Sequence, residues 1–158
     1  MTKVVNVKVR KATVDDAYKM DIINRKVMSC NYTYDFWFVS LASECSSSYV
    51  LMINNEIVGY ILGGIIQDEN LRQVGYVYSV GILEEYRRRG YATILFTAFE
   101  ENLKSRYNID SVTLHVRKGK TNKGAVSFYL KNDYKIVKTV KGYYGPIFRD
   151  GYLMEKKV

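Results

Sequence analysis

The chain has 158 residues, enough for one domain with a substantial hydrophobic core. Hydrophobic residues make up 47% of it and charged residues 25%, which is ordinary for a soluble globular protein, and no uncharged apolar run is long enough to span a bilayer. The net charge of +8, from 24 basic and 16 acidic residues, implies an anionic partner. Cys30 and Cys45 form neither a disulfide framework nor a metal-spaced set, and with no signal-peptide pattern at the N-terminus they favour a reducing, cytoplasmic setting.

The first part of the chain predicts a strand followed by two helices. Residues Val4 to Arg10 alternate between apolar and polar, as in a half-buried strand. Thr13 is a suitable cap for a helix from Val14 to Lys26, whose first turn carries two aspartates. Residues 27–33 then form a loop before a short helix from Tyr34 to Ala42.

The rest of the chain alternates between strands and helices. The predicted elements are strands Tyr49–Ile53, Glu56–Ile66 and Val74–Leu83, a helix ending near Arg106, strand Ser111–Val116, helix Asn122–Lys131, and strands Tyr134–Lys141 and Tyr152–Glu155. Asn54-Asn55 is a tight hairpin turn. This order predicts a single α/β domain over residues 1–158, with a mixed sheet and helices on both faces.

The arginine loop, Arg87-Arg88-Arg89-Gly90-Tyr91-Ala92, lies between a predicted strand and a predicted helix. Gly90 permits a tight turn, and the small side chain of Ala92 leaves room for a ligand. The free amides at the start of the helix therefore point toward a common position. Those amides, the helix dipole and the arginines suit a phosphate group. The alternative interpretation is a basic turn before an amphipathic helix.

A second basic cluster follows the strand that contains the only histidine. Its members are Arg117, Lys118, Lys120 and Lys123. A polyphosphate cofactor would account for both basic clusters, and so would a nucleic acid. Within this region Asn122 also suits a helix cap, and Tyr129 also suits a core position.

The arginine loop resembles the pyrophosphate loop Q/R-x-x-G-x-G/A of the GNAT-superfamily acyltransferases, and the element order matches that fold along essentially the whole chain. The resemblance implies a mostly antiparallel mixed sheet whose fourth and fifth strands splay apart around acetyl-coenzyme A, with no metal. The cofactor-binding residues that it implies are Val80, Gly81, Ile82, Arg87, Arg88, Arg89, Gly90, Tyr91, Ala92, Thr93, Asn122 and Tyr129.

The same resemblance implies roles for these positions. Pantetheine would pair with the backbone of Val80 and Ile82, and an amide near Val80 would meet the developing oxyanion. Asn122 would contact the pantetheine arm, and Tyr129 would protonate the leaving thiolate. The sequence departs from the family pattern in a loop, residues 118–121, about two residues longer than usual, and in Asp133, which stands where Gly is common.

Among GNAT enzymes the sequence is most similar to the Nα-acetyltransferases, which acetylate protein N-termini. Three stretches carry this likeness: Gly75–Ile82 with Tyr86-Arg87-Arg88, Leu114-His115-Val116, and Lys141–Tyr144 followed by Asp150–Glu155. Tyr76 and His115 match the tyrosine and histidine that the branch selective for initiator methionine uses as its base system, through an ordered water. A lone histidine on a strand is otherwise more often structural.

The implied acceptor site lies between the first helical loop and the last strands. Its predicted substrate-binding residues are Met28, Ser29, Cys30, Tyr32, Tyr78, Tyr143 and Tyr144. Relatives that prefer small or acidic first residues carry Glu where this chain has Cys30, so its absence favours Met or another apolar first residue. Met28 would also suit the core.

The resulting hypothesis is an N-terminal protein acetyltransferase acting by direct ternary-complex transfer. Its expected partners are acetyl-coenzyme A and protein or peptide N-termini, with a ribosome or an auxiliary subunit as candidates, and neither a membrane nor a specific nucleic acid is expected. Two alternatives remain open: a GNAT enzyme that acetylates a small amine or an internal lysine, and a basic nucleic-acid-binding module.

Overall fold

The computed structural model describes residues 4–29, 31–119, 122–148 and 150–158, with the backbone alone at 147 and 148. The strands are β1 (Val7–Lys11), β2 (Tyr49–Ile53), β3 (Glu56–Gln67), β4 (Gln73–Ile82), β5 (Ser111–Arg117), β6 (Lys135–Val140) and β7 (Gly151–Lys157). The helices are α1 (Ala17–Val27), α2 (Tyr34–Ala42), α3 (Tyr91–Tyr107), α4 (Lys123–Lys131) and α5 (Gly145–Phe148). The strands form one seven-stranded sheet in the order β1-β2-β3-β4-β5-β7-β6.

Helices cover both faces of this sheet, as predicted. Residues of α1 and α2 pack with Val50, Tyr60 and Leu62 in one apolar cluster. The other face carries α3, whose Leu95, Phe96, Phe99 and Leu103 are all buried. That spacing places the four side chains on one stripe of the helix, and each buried side chain of this size contributes about 1.5–3 kcal/mol. Within the described residues, no helix has the length and hydropathy needed to cross a membrane.

The observed boundaries differ from the predicted ones mainly near turns. The first strand begins at Val7 instead of Val4, and the first helix opens with a 3₁₀ turn before α1 starts at Ala17. That turn is fixed by the buried Asp16. Its carboxylate accepts hydrogen bonds from Nη1 and Nη2 of Arg10, both at 2.8 Å, and from the amide of Thr13 at 2.9 Å. The short helix α5 was not predicted, because a single turn that contains Pro146 has no periodicity to detect.

The central strands separate halfway along their length. Strands β4 and β5 form the only parallel pair of the described sheet, and they pair only from Gly75 opposite Val112 to Val77 opposite Leu114. Strand β4 nevertheless continues along β3 to Ile82. This confirms the predicted splay, which leaves a gap in the middle of the sheet.

A β-bulge marks the point where the two strands diverge. Leu62 of β3 lies opposite Ser79, whereas the next residue lies opposite Val77, so that Tyr78 is an extra residue on β4. A bulge bends its strand and re-aims the neighbouring side chains and amides. The bulge therefore places irregular backbone at the mouth of the gap.

Candidate active site

A pocket of about 210 Å³ occupies the gap between β4 and β5. Residues from both faces of the sheet line it: Asn24, Met28, Ser29, Tyr32, Val77, Tyr78, Ser79, Val80, Leu114, His115, Val116, Arg117, Asn122, Ala125, Tyr129 and Tyr144. The α1–α2 segment supplies one wall, and α4 supplies the opposite one. The pocket therefore gives two molecules that approach from opposite faces a common meeting point.

Tyr76 and His115 lie together at this gap. The hydroxyl of Tyr76 is 2.7 Å from Nδ1 of His115 and 3.2 Å from the hydroxyl of Tyr143. The ring of Tyr143 stacks on the imidazole, with centroids 4.1 Å apart and planes 9° from parallel. The structure thus brings together two residues that the sequence analysis paired and adds a third aromatic ring.

Burial controls the protonation of this cluster. It lowers the pKa of His115 below its usual value, and the positive charge of Lys138 lowers that pKa further. The imidazole is therefore neutral at pH 7 and can accept a proton. Burial, with the neighbouring Tyr143, raises the pKa of Tyr76, so the phenol keeps its proton and is able to pass it on.

The arginine loop contains a glycine, Gly90, whose backbone conformation favours glycine. Gly90 has φ +80°, in the left-handed region, and directly precedes α3 as its N-cap residue without any side-chain cap. A Cβ built on Gly90 meets nothing within 4 Å. The first helical hydrogen bond there joins Ile94 to the Gly90 carbonyl at 3.3 Å, which leaves the amides of residues 91–93 without an intrahelical partner.

The arginines of this loop hold different positions. Arg87 turns back and donates from Nε to the carbonyl of Ile82 at 3.0 Å, which ties the loop to the end of β4. Arg88 adopts φ +62° and is exposed, as is Arg89, which lies 5.9 Å from the Tyr86 ring. A helix N-terminus with free amides and nearby cations fits the pyrophosphate of a coenzyme.

The predicted residues of α4 line the same pocket from the other face. Asn122 does not cap α4 with its side chain; instead its Nδ2 donates to the carbonyl of Arg117 at 2.9 Å, at the end of β5. Tyr129 packs edge-on against Phe96 and Tyr134, and burial raises its pKa to about 12. Its hydroxyl forms no hydrogen bond with any described residue, which leaves it available to a ligand.

The predicted acceptor residues cluster on the face of α1 and α2. Tyr32 donates from its hydroxyl to the carbonyl of the bulge residue Tyr78 at 2.7 Å, and Met28 and Ser29 lie beside it, exposed. Tyr144 lines the pocket and packs edge-on against Tyr143 at 4.8 Å. Lys120, Thr121 and Cys30, the residue used to predict specificity, lie outside the described residues.

One polar cluster of the pocket was missed by the sequence analysis. Asn24 is fully buried; its Nδ2 donates to the Tyr60 hydroxyl at 2.9 Å, and that hydroxyl is 2.8 Å from Oγ of Ser79 beside the bulge. Oδ1 of Asn24 has no partner among the described residues. The available signal was an asparagine within the apolar stripe formed by Met20, Ile23 and Val27 on one helical face.

Comparison with known proteins places this geometry in a family. The acetyltransferase (GNAT) family model matches residues 14–134. The chain belongs to the GNAT acetyltransferase family. It is 36% identical to an N-alpha-acetyltransferase of Saccharolobus solfataricus, over 93% of this chain and 90% of that protein. It is also 32% identical to the Arabidopsis thaliana N-terminal acetyltransferase A complex catalytic subunit NAA10, over 95% and 77% of the two chains.

Among solved structures, the chain resembles Arabidopsis thaliana Naa50 in complex with the bisubstrate analogue CoA-Ac-MVNAL. The TM-score is 0.79 at 23% identity, and the match covers 96% of this chain and 99% of that one. The predicted GNAT fold is therefore confirmed. Family membership also confirms the predicted enzyme class, an acetyltransferase that uses acetyl-coenzyme A.

Proposed function

We propose that this GNAT enzyme acetylates the free α-amino group of protein N-termini, with the acceptor entering from the α1–α2 face of the sheet and acetyl-coenzyme A from the α3–α4 face. The observation that carries the proposal is the hydrogen-bonded pair of Tyr76 and His115 beside a pocket that is lined by residues from both faces of the sheet. Both substrates can reach the gap at once, which supports direct transfer.

The coenzyme would be held by the start of α3, by the free edge of β4 and by the start of α4. The free amides of residues 91–93 and the exposed Arg88 and Arg89 would hold its pyrophosphate, with Gly90 allowing close approach. Beyond Val77 the edge of β4 is released from β5, so the backbone of Val80 and Ile82 would hold the pantetheine arm together with Asn122. Acetyl-coenzyme A supplies the activated thioester.

Tyr129 would assist the leaving group. Its pKa of about 12 lies roughly 3.5 units above that of a thiol, near 8.5. The phenol is thus fully protonated and donates a hydrogen bond to the thiolate more readily than it surrenders its proton. An amide of the bulged strand near Val80 would stabilise the oxyanion.

The base of this enzyme matches an α-amine better than a lysine side chain. An α-amine has a pKa of about 7.7–8.0, whereas that of a lysine is near 10.4, a difference worth about 3.4 kcal/mol of deprotonation at fixed pH. His115 is a weak base, because burial and Lys138 lower its pKa. Among its described residues, the pocket has no carboxylate that could serve as a stronger base.

We further propose a preference for Met or another apolar first residue. Met28 lines the pocket, and the aromatic group of Tyr32, Phe36 and Tyr78 lies beside it. Naa50, the structural relative, was solved in complex with an analogue whose peptide portion is MVNAL, which supports the same preference. The relatives named N-alpha-acetyltransferase and NAA10 have names that specify no first residue.

The specificity test is acetyl transfer to a peptide panel that differs only in residue one. We expect kcat/KM to be highest for Met and Leu and at least about tenfold lower for Ser, Ala and Asp, because an apolar pocket distinguishes side chains by 1–3 kcal/mol. A preference for Ser or Ala would contradict the apolar assignment while leaving N-terminal acetylation intact.

Three further expectations complete the proposal. We take residues 1–158 as one catalytic domain, acting in the cytoplasm, where an exposed free thiol such as that of Cys45 stays reduced. A ribosome or an auxiliary subunit is a candidate partner, and a structural relative of 16% identity is part of a NatC complex. Analytical ultracentrifugation that compares the sedimentation coefficient of the purified chain alone with that of the chain mixed with a candidate auxiliary subunit tests for such a complex.

A further inference from the structure

We propose that Tyr143 is a positioning residue for the base: it holds the His115 imidazole in the orientation and tautomer in which Nδ1 accepts a hydrogen bond from Tyr76. This inference rests on the proposed function, because it concerns how His115 serves the reaction. It assigns to Tyr143 a role inside the protein, separate from its predicted contact with the acceptor peptide.

Tyr143 contacts both members of the pair with one side chain. Its ring lies flat on His115 at 4.1 Å, and its hydroxyl lies 3.2 Å from that of Tyr76. A neutral imidazole carries its proton on one nitrogen only. If Nδ1 accepts from Tyr76, then Tyr143 donates to Tyr76, and the hydrogen bonds all run toward His115, whose remaining proton is on Nε2.

The turn that carries Tyr143 is itself fixed. Gly142 adopts φ +67°, and its amide donates to Oδ1 of Asp150 at 2.9 Å. The carbonyl of Asp150 accepts the amide of Lys118 at 2.9 Å, which ties the turn to the end of β5. Because the turn is anchored at the strand that carries His115, the ring of Tyr143 has a defined position over the imidazole.

The groups around His115 that can affect its pKa come from three strands and from the stacked ring of Tyr143. Tyr76 faces it from β4, Lys138 from β6, and Arg117 lies two residues along on the same face of β5. Lys138 is paired with Glu69 at 2.6 Å. Burial is the larger cause of the lowered pKa of His115, and the Tyr143 ring covers one side of the imidazole.

This arrangement gives the proton a path. As the amine nitrogen forms its bond to the acetyl carbon, it releases a proton through a bridging water to the hydroxyl oxygen of Tyr76, and the proton of Tyr76 passes to Nδ1 of His115. Tyrosine remains neutral, histidine becomes the imidazolium, and the electron pair of the broken thioester bond leaves with the thiolate. The path works only from the tautomer that Tyr143 favours.

The test is nitrogen-15 NMR of the ring nitrogens, which is unambiguous because His115 is the only histidine. We compare Tyr143→Phe, which keeps the ring, with Tyr143→Leu, which removes it, and use Tyr18→Leu as a control for loss of an exposed tyrosine elsewhere. We expect the wild-type protein and Tyr18→Leu to show mainly the Nε2–H tautomer and a titration midpoint below 6.5. Tyr143→Phe should keep that midpoint, because the ring still covers the imidazole, but should show mixed tautomers, because it loses the hydroxyl that donates to Tyr76.

In Tyr143→Leu we expect mixed tautomers and a midpoint that moves up toward 6.5, with kcat falling about tenfold and the acidic limb of kcat/KM shifting with the midpoint. Asp150→Ala, which loosens the turn, should likewise give mixed tautomers and a titration midpoint that moves up toward 6.5. Unchanged tautomer and midpoint in Tyr143→Leu would overturn the proposal, even if its activity falls. The NMR result needs no turnover, so it stands apart from any failure of the proposed function.

Discussion

The hydroxyl of Tyr76 lies 2.7 Å from Nδ1 of His115, although the two residues are 39 positions apart in the chain. Register explains the contact: Tyr76 is paired with Thr113 in the short parallel stretch, and His115 lies two residues beyond Thr113 on the same face of β5. A proton acceptor and a phenol therefore meet at the point where the strands begin to separate.

If this pair removes the proton of the amine, then His115→Ala and Tyr76→Phe should each lower kcat, and the double variant should lose less than the sum of the two effects. Because the pKa of His115 lies below 6.5, activity should rise as the pH increases through that lowered pKa, where the imidazole becomes neutral. It should rise again near pH 8, where the α-amine deprotonates. The defect of the variants should shrink at high pH.

Steady-state kinetics of folded variants at pH 7 and pH 9.5 provide this comparison. Equal defects at both values would mean that Tyr76 and His115 shape the pocket without moving a proton.

Tyr129→Phe should lower kcat by about ten- to thousandfold and change the Michaelis constant for acetyl-coenzyme A little, since the hydroxyl acts on charge that develops only during the reaction. The ring packing against Phe96 and Tyr134 remains in this variant, so the thermal midpoint should be unchanged. Full activity would make Tyr129 a plain packing residue.

Gly90→Val should abolish detectable binding of acetyl-coenzyme A in calorimetric titration, because the new side chain enters the open space above residues 91–93. Backbone strain at φ +80° adds about 1–2 kcal/mol of destabilisation. Asn108→Ala is the matched control: it strains the left-handed residue at the other end of α3, at φ +54°, and should leave the affinity unchanged. Unaltered affinity in Gly90→Val would remove the phosphate-loop assignment.

The buried cluster of Asn24, Tyr60 and Ser79 should contribute to stability. Tyr60→Phe leaves the Asn24 amide without its 2.9 Å partner and should lower the free energy of unfolding by about 1–3 kcal/mol. Asn24→Leu should cost less, because it also removes the carbonyl that has no described partner. Urea denaturation measures both, and the reverse order would show that Asn24 Oδ1 is satisfied in solution.

The sequence predicted the order of elements well, because the periodic runs are long. Leu95, Phe96, Phe99 and Leu103 form a stripe that specifies a helix without reference to the rest of the chain. Asp133, which stands where the family commonly has Gly, adopts φ +71°, the left-handed conformation that glycine favours. Predictions near turns were weaker: the 3₁₀ turn before α1 depends on the contact between Arg10 and Asp16, which local pattern does not reveal.

The site was only partly accessible from sequence. Tyr76 and His115 were paired through a family resemblance, whereas the stacking of Tyr143 on His115 depends on how one turn folds back over β5. The bulge at Tyr78 could not be predicted from the sequence either, because its one-residue shift exists only in the pairing of β4 with β3. Such features arise from contacts between distant residues and leave no local periodicity.

The most direct measurement of the central claim is mass spectrometry of peptides after incubation with the enzyme and acetyl-coenzyme A. Matched Met-initiated peptides would carry one internal lysine and differ only in whether the N-terminus is free or blocked. We expect acetylation at the α-amine of the free peptide, with the blocked peptide at least about a hundredfold slower, since lysine deprotonation at neutral pH costs about 3.4 kcal/mol more. Acetyl groups mainly on the internal lysine of both peptides would contradict the account.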